Sequence, residues 1–179
     1  MVVAVPLSDP SGEGGQRVWK RAWVGLGGNV GAVGAAFDAA LTTLDALPGL
    51  RLLAQSRRWR TPAWGLTDQP DFLNAVAEFE TALEPLAVLD ALQIVERAHG
   101  RDRARETRWG PRTLDLDLLA IDGVALEMPS LTLPHPRLAE RAFVLVPWAE
   151  LAPGFVIPGR GTIAALRDAL DPSGIEAIP

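Results

Sequence analysis

The stretch Arg108-Trp109-Gly110-Pro111-Arg112-Thr113-Leu114-Asp115-Leu116-Asp117 constrains the fold of this chain more than any other. Gly110 and Pro111 together interrupt helix and strand, so Trp109 to Arg112 reads as a loop. Thr113 to Ile121, rich in leucine and closed by Asp122-Gly123, reads as a strand. Alternate side chains of a strand share a face. Leu114, Leu116 and Leu118 then face a core, while Asp115 and Asp117 face the other way. Two carboxylates so close repel each other unless a cation joins them. Magnesium suits such a pair, because it is a hard cation held by one or two carboxylates together with substrate phosphates. The alternative is a solvated polar face behind a buried one.

Just upstream, Arg97, Arg101, Arg103, Arg105, Arg108 and Arg112 are offset within their span only by Asp102 and Glu106. Guanidinium groups bind phosphate in bidentate fashion, so an arginine-rich loop beside a carboxylate pair fits phosphate chemistry. A solvated surface run or an RNA contact is the competing reading of the arginines. A general nucleic-acid binder is normally basic, whereas this chain carries a formal net charge of −5. A sheet-face RNA-binding module would also need exposed aromatics on a basic face, and here the two aspartates occupy the sheet. Lys20 is the only lysine and there is no Walker A sequence, which argues against a P-loop enzyme.

The length of 179 residues suits one domain with a sizeable core. Residues 1–17, with several Gly, Ser and Pro, read as a flexible leader, and 18–179 as a single domain. The absence of cysteine excludes disulfides and thiolate metal sites. No run of about 18 apolar residues reads as a membrane span, and no basic-then-apolar start reads as a secretory signal. The expectation is a cytoplasmic monomer with no membrane or nucleic-acid partner.

In order, Val18 to Leu26 reads as a strand, Gly27 to Gly31 as a tight turn, and Ala32 to Leu47 as a helix stopped by Pro48-Gly49. A dinucleotide-binding reading of the glycines fits poorly, because Val30 stands where the third glycine belongs. Leu50 to Arg60 reads as one strand. Thr61 to Asp71 is a proline-bounded loop whose Trp64 either covers a flat ligand or plugs the core edge. Phe72 to Thr81 reads as a strand with Phe72, Asn74 and Val76 on one face and Leu73, Ala75 and Ala77 on the other. Asn74 is placed either to read the edge of a planar heterocycle or to satisfy backbone groups. Pro85 to His99 reads as a helix ended by Gly100, with His99 as a capping residue. Gln93 and Glu96 share a face of it that meets either a nucleotide or water. Pro134-His135-Pro136 is a stiff turn presenting His135 to a phosphate or base, or to solvent. A short helix follows over Arg137 to Arg141, then an apolar run from Phe143 to Val146 and a last helix from Thr162 to Leu170. The order predicts an α+β, ferredoxin-like βαββαβ core, an antiparallel sheet with helices on one side and additional C-terminal elements.

These motifs resemble the 6-hydroxymethyl-7,8-dihydropterin pyrophosphokinase (2-amino-4-hydroxy-6-hydroxymethyldihydropteridine diphosphokinase) family. The carriers are Gly25-Leu26-Gly27-Gly28-Asn29, Arg60-Thr61-Pro62, Asp68 to Ala75, Gly100-Arg101, Arg108 to Asp117, Pro134-His135-Pro136-Arg137 and Arg141-Ala142-Phe143. The resemblance implies transfer of pyrophosphate from ATP to the pterin's hydroxymethyl group, leaving AMP, in folate biosynthesis. It implies two magnesium ions on Asp115 and Asp117, with Arg101 and Arg112 gripping phosphate oxygens. It implies an ATP pocket lined by Gln93, Glu96, Arg103, Arg108, Thr132, His135 and Arg141. For the pterin it implies a sandwich between Phe72 and Phe143, an edge contact from Asn74, and contacts from Thr61, Pro62, Ala63, Trp64 and Trp109.

Overall fold

The computed structural model describes residues 18–63, 68–101 and 110–178. Strand β1 (Lys20–Gly28) is followed by α1 (Val33–Asp45), β2 (Leu50–Gln55), β3 (Arg58–Thr61), β4 (Phe72–Thr81), α2 (Pro85–Ala98) and β5 (Asp115–Ile121). Then come β6 (Leu126–Glu127), β7 (Thr132–Leu133), a 3-10 turn over Leu138–Glu140, α3 (Ala142–Leu151), β8 (Val156–Ile157), β9 (Gly161–Thr162), α4 (Ile163–Asp168) and β10 (Glu176–Ile178). The main sheet runs β10-β3-β4-β1-β5, with β2 also paired to β4. Every pairing is antiparallel. β4 thus lies between β1 and β2, which is the split βαβ arrangement of a ferredoxin-like fold.

The expected single strand over Leu50 to Arg60 is two strands. Ser56 makes the break: its N–H donates to the Val76 carbonyl at 2.9 Å and its Oγ accepts from the Val76 N–H at 3.0 Å. A hydroxyl standing in for a ladder carbonyl lets the chain bend without orphaning β4. The pairing also slips between Leu52 and Ala54. Each one-residue slip reverses which face a side chain meets, and after the break Trp59 stands opposite Asn74.

The alternation in β1 divides the molecule. Ala22, Val24 and Leu26 face α1 and α2, where Phe37, Leu41, Leu44, Leu92 and Val95 meet Ala75, Ala77, Phe79, Leu114, Leu116 and Leu118 in one core. Each fully buried Val, Leu or Phe among them contributes roughly 1.5–3 kcal/mol. The opposite face is covered as well, so helices lie on both sides of the sheet. Trp23, Val76, Leu119 and Ala120 pack there against Leu145, Trp148, Ile157 and Ile163. Rings of Trp23 and Phe155 stand 4.0 Å apart, with Trp148 5.7 Å from Trp23. The apolar run from Phe143 is the start of α3, which continues through Pro147 to Leu151. This second core spans only part of its face. Beyond Trp23, β1 offers Gly25 and Gly27 there, and the sheet is left open.

Candidate active site

Asp115 and Asp117 share the open face, and Leu114, Leu116 and Leu118 are buried on the other, as the alternation predicts. Across the sheet, Gly27 lies between Asn74 on β4 and Asp115 on β5, and Gly25 between Val76 and Asp117. The glycines clear a trough between an amide and two acids. A Cβ on Gly27 would stand 3.1 Å from Asn74 Oδ1 and 3.9 Å from Asp115 Cβ.

The acids are held by arginines from three directions. Arg101 bonds Asp115 and Glu96 through the same nitrogen, Nη1. Arg112 Nη1 lies 3.2 Å from Asp115 Oδ2, and Arg141 Nη1 donates to Asp117 Oδ2 at 2.9 Å. Two of these guanidinium groups also cap rings: Arg112 lies 5.4 Å from the Phe72 centroid and Arg141 5.8 Å from that of Phe143. Arg112 Nε and Arg141 Nε are buried without a hydrogen-bond partner among the described residues. Guanidinium groups gathered beside carboxylates suit a polyanion.

Local structure explains how Arg101 gets there. At the end of α2 the N–H of Gly100 donates to the Arg97 carbonyl and that of Arg101 to the Glu96 carbonyl. This pair of bonds is a Schellman motif, and it needs the left-handed Gly100 at φ +85°. The turn returns Arg101 to the side of Glu96. Glu96 itself does not face water. It is 1% exposed, and its Oε1 also accepts from the Leu116 N–H at 2.7 Å. The carboxylate fastens α2 to β5 next to Asp115. His99 caps the helix as expected, its Nδ1 2.9 Å from the Val95 carbonyl.

Asn29 was missed as a site residue, although it stands inside the glycine motif. Its Nδ2 donates to Gln69 Oε1 and to the Pro70 carbonyl, both at 3.0 Å. Its Oδ1 accepts from the Arg112 N–H at 3.0 Å, and its own N–H donates to the Arg112 carbonyl at 2.9 Å. One side chain therefore clamps the glycine turn, the loop before Phe72 and the backbone of Arg112. An asparagine at the tip of a glycine turn was the available signal, since it can bond backbone in both senses.

Asn74 is buried, with Nδ2 donating to Thr61 Oγ1 at 2.7 Å and Oδ1 turned over Gly27. Pro62 and Ala63 continue from Thr61 at this edge. Gln93 is half-buried on α2, one turn before Glu96, and Thr132 half-buried on β7. His135 is half-buried rather than displayed on the surface. Its N–H donates to the Leu119 carbonyl at 2.7 Å, and its Nδ1 accepts from the Arg137 N–H at 3.2 Å. Burial holds its pKa below the ordinary 6.5; Asp117 opposes that shift, and Arg141 and Arg137 reinforce it. The helix expected over Arg137 to Arg141 is only the 3-10 turn. Trp64, Arg103, Arg108 and Trp109 lie outside the described residues.

Among the described residues no third His, Cys, Asp or Glu joins a pair to form a metal cluster. Two carboxylates with hard oxygen donors fit magnesium, whose remaining ligands are ordinarily phosphate and water. No helix among the described residues is long and apolar enough to cross a membrane.

A sequence model of the family described as 7,8-dihydro-6-hydroxymethylpterin-pyrophosphokinase (HPPK) matches residues 23–153. A protein of Methylorubrum extorquens named 2-amino-4-hydroxy-6-hydroxymethyldihydropteridine pyrophosphokinase is 48% identical over 88% of this chain and 98% of its own. A protein of the same name from Pseudomonas aeruginosa is 42% identical over 89% of this chain and 98% of its own. Among solved structures, the HPPK-DHPS protein of Plasmodium falciparum matches 87% of this chain with a TM-score of 0.64 and 13% identity. That likeness concerns the fold, and the match spans 43% of that longer chain. The extent of the first match and the identity of the two full-length relatives place the chain in the 7,8-dihydro-6-hydroxymethylpterin-pyrophosphokinase family, the folate-biosynthesis enzymes that transfer pyrophosphate to hydroxymethyldihydropterin.

Proposed function

We propose that the open face of the sheet carries out this transfer, with Asp115 and Asp117 as the acidic ledge and Arg101, Arg112 and Arg141 as its phosphate clamp. The observation that carries the reading is the juxtaposition of that ledge and clamp with the Gly25–Gly27 trough and Asn74. ATP gives its β,γ-pyrophosphoryl group to the hydroxymethyl oxygen. The bond from that oxygen to the β-phosphorus forms as the bond from the β-phosphorus to the α-bridging oxygen breaks; the hydroxyl proton is released to solvent, and AMP leaves with the bridging oxygen and its electron pair. Asp115 and Asp117 would hold the two magnesium ions, whose charge would offset that of the phosphates and lower the pKa of the attacking alcohol.

The chain's own groups do the positioning on which phosphoryl transfer mostly depends. Arg112 and Arg141 are paired to the acids through Nη1, so phosphate oxygens can replace carboxylate oxygens as their partners. Glu96 acts through Arg101 and the Leu116 N–H, a supporting part instead of the expected direct nucleotide contact. Gln93, Thr132 and His135 complete the nucleotide side. The pterin lies over the trough beside Phe72 and Phe143. Asn74 Oδ1 receives a ring-edge N–H there while Thr61 holds the amide, and Pro62 and Ala63 close the edge.

Incubating the protein with 6-hydroxymethyl-7,8-dihydropterin, ATP and magnesium should yield AMP and the pterin diphosphate in equal amounts. Release of ADP instead, or no pterin product, refutes the reading.

A further inference from the structure

The segment after residue 153 lies beyond the family match, yet it reaches the pterin side of the trough. β10 pairs with β3 on the edge away from β4, with Glu176 opposite Arg60, Ala177 opposite Trp59 and Ile178 opposite Arg58. Just before it, Gly174 adopts φ +77° and seats against the Pro62 ring. A Cβ there would stand 2.9 Å from Pro62 Cγ and 3.3 Å from its Cδ. Thr61, between these two contacts, holds the Asn74 amide. β3 is four residues long, and without β10 its outer backbone groups would face water. A short edge strand is otherwise a weak support for a substrate contact.

We propose that β10 and Gly174 are positioning elements for the pterin subsite. They fix the end of β3 from outside, so that Thr61 and Pro62 hold Asn74 and the entry to the trough in register. The inference rests on the assignment of the pterin to Thr61, Pro62 and Asn74.

Gly174→Asn tests it in the full chain. Asparagine tolerates the left-handed backbone, so the change mainly places a Cβ against Pro62. Sub-ångström displacement of a binding group is enough to weaken a site measurably. Titrated with the pterin alcohol, Gly174→Asn should raise the pterin Kd by about tenfold. The Kd for ATP with magnesium should change by less than about twofold. Gly174→Asn in a Pro62→Ala background should raise the pterin Kd much less than it does beside Pro62, because the atoms it meets are gone. Shortening the chain after Pro172 is a second variant, with the same split expected. Pterin and nucleotide affinities falling together, or neither falling, overturn the proposal. Asn74→Ala run in parallel separates the layers. If it weakens pterin binding while Gly174→Asn does not, the positioning role alone fails. If it leaves pterin binding untouched, the subsite assignment fails and the inference with it.

Discussion

Replacing Gly27 with alanine adds one methyl group to the floor of the trough and changes little else. Gly27 has no left-handed backbone to strain, so the substitution should leave stability within about 1 kcal/mol and can raise it by 0.4–1 kcal/mol through the unfolded chain. The new Cβ stands 3.1 Å from Asn74 Oδ1, closer than ordinary van der Waals contact. Asn74 is buried and bonded to Thr61 at 2.7 Å, so it retreats only by stretching that bond. A hydrogen bond of this kind contributes about 1 kcal/mol net. Losing its geometry, together with room beneath the pterin, should raise the pterin KM roughly five- to twentyfold. Gly25→Ala should be milder, since the nearest atom to its Cβ is the end of the Leu119 side chain at 3.4 Å, an ordinary contact. AMP release at varied pterin concentration, alongside a thermal melt, separates the two quantities. A Gly27→Ala enzyme with an unchanged melt and a pterin KM within twofold of wild type would refute the trough as the pterin's seat.

Arg112→Ala should reduce turnover by roughly 10²–10³-fold while weakening ATP binding far less; equal losses in rate and affinity would contradict a role in the transition state. Asp117→Ala should remove magnesium-dependent activity, and full activity in magnesium would exclude Asp117 as a ligand. Asn29→Ala strips three side-chain bonds from the Arg112 clamp. It should lower stability by about 1–3 kcal/mol and turnover along with it, and a variant as stable as wild type in urea would show the clamp to be incidental. Burial lowers the His135 pKa, so below 6.5 the unfolded chain takes up a proton that the folded chain resists. Stability contributed by this residue is full above 6.5 and declines as pH falls through the window beneath it. His135→Gln should flatten that slope in metal-free denaturation curves, and a slope identical to wild type would contradict the assignment.

The alternation at Leu114 to Leu118 was enough to separate core from site on β5. The same rule placed Phe72 and Asn74 together on β4, because a period of two survives wherever a strand is regular. It failed at Ser56, where a side-chain oxygen replaces a ladder carbonyl and nothing in the apolar pattern records the exchange. The second core was hidden for another reason. α3 is apolar on nearly every side and contains Pro147, so it has neither a helical stripe nor an uninterrupted run. The sequence leaves Glu96 open to a nucleotide or to water, because its burial depends on Arg101 and the Leu116 N–H, partners far away in sequence or beyond a turn. The pairing of β10 with β3 is likewise a long-range contact that no local signal announces.

β1 has a neighbouring strand on each edge, with one core beneath it and another above its first half. Segments enclosed in this way open only with the whole molecule, whereas lightly covered ones open on their own. Amide protons from Val24 to Gly27 should therefore be among the slowest to exchange. Warming or mild denaturant should first loosen the walls that supply the arginines and prolines, leaving the glycine floor in place. Early inactivation would then be reversible on cooling, with catalysis disappearing before the fold does.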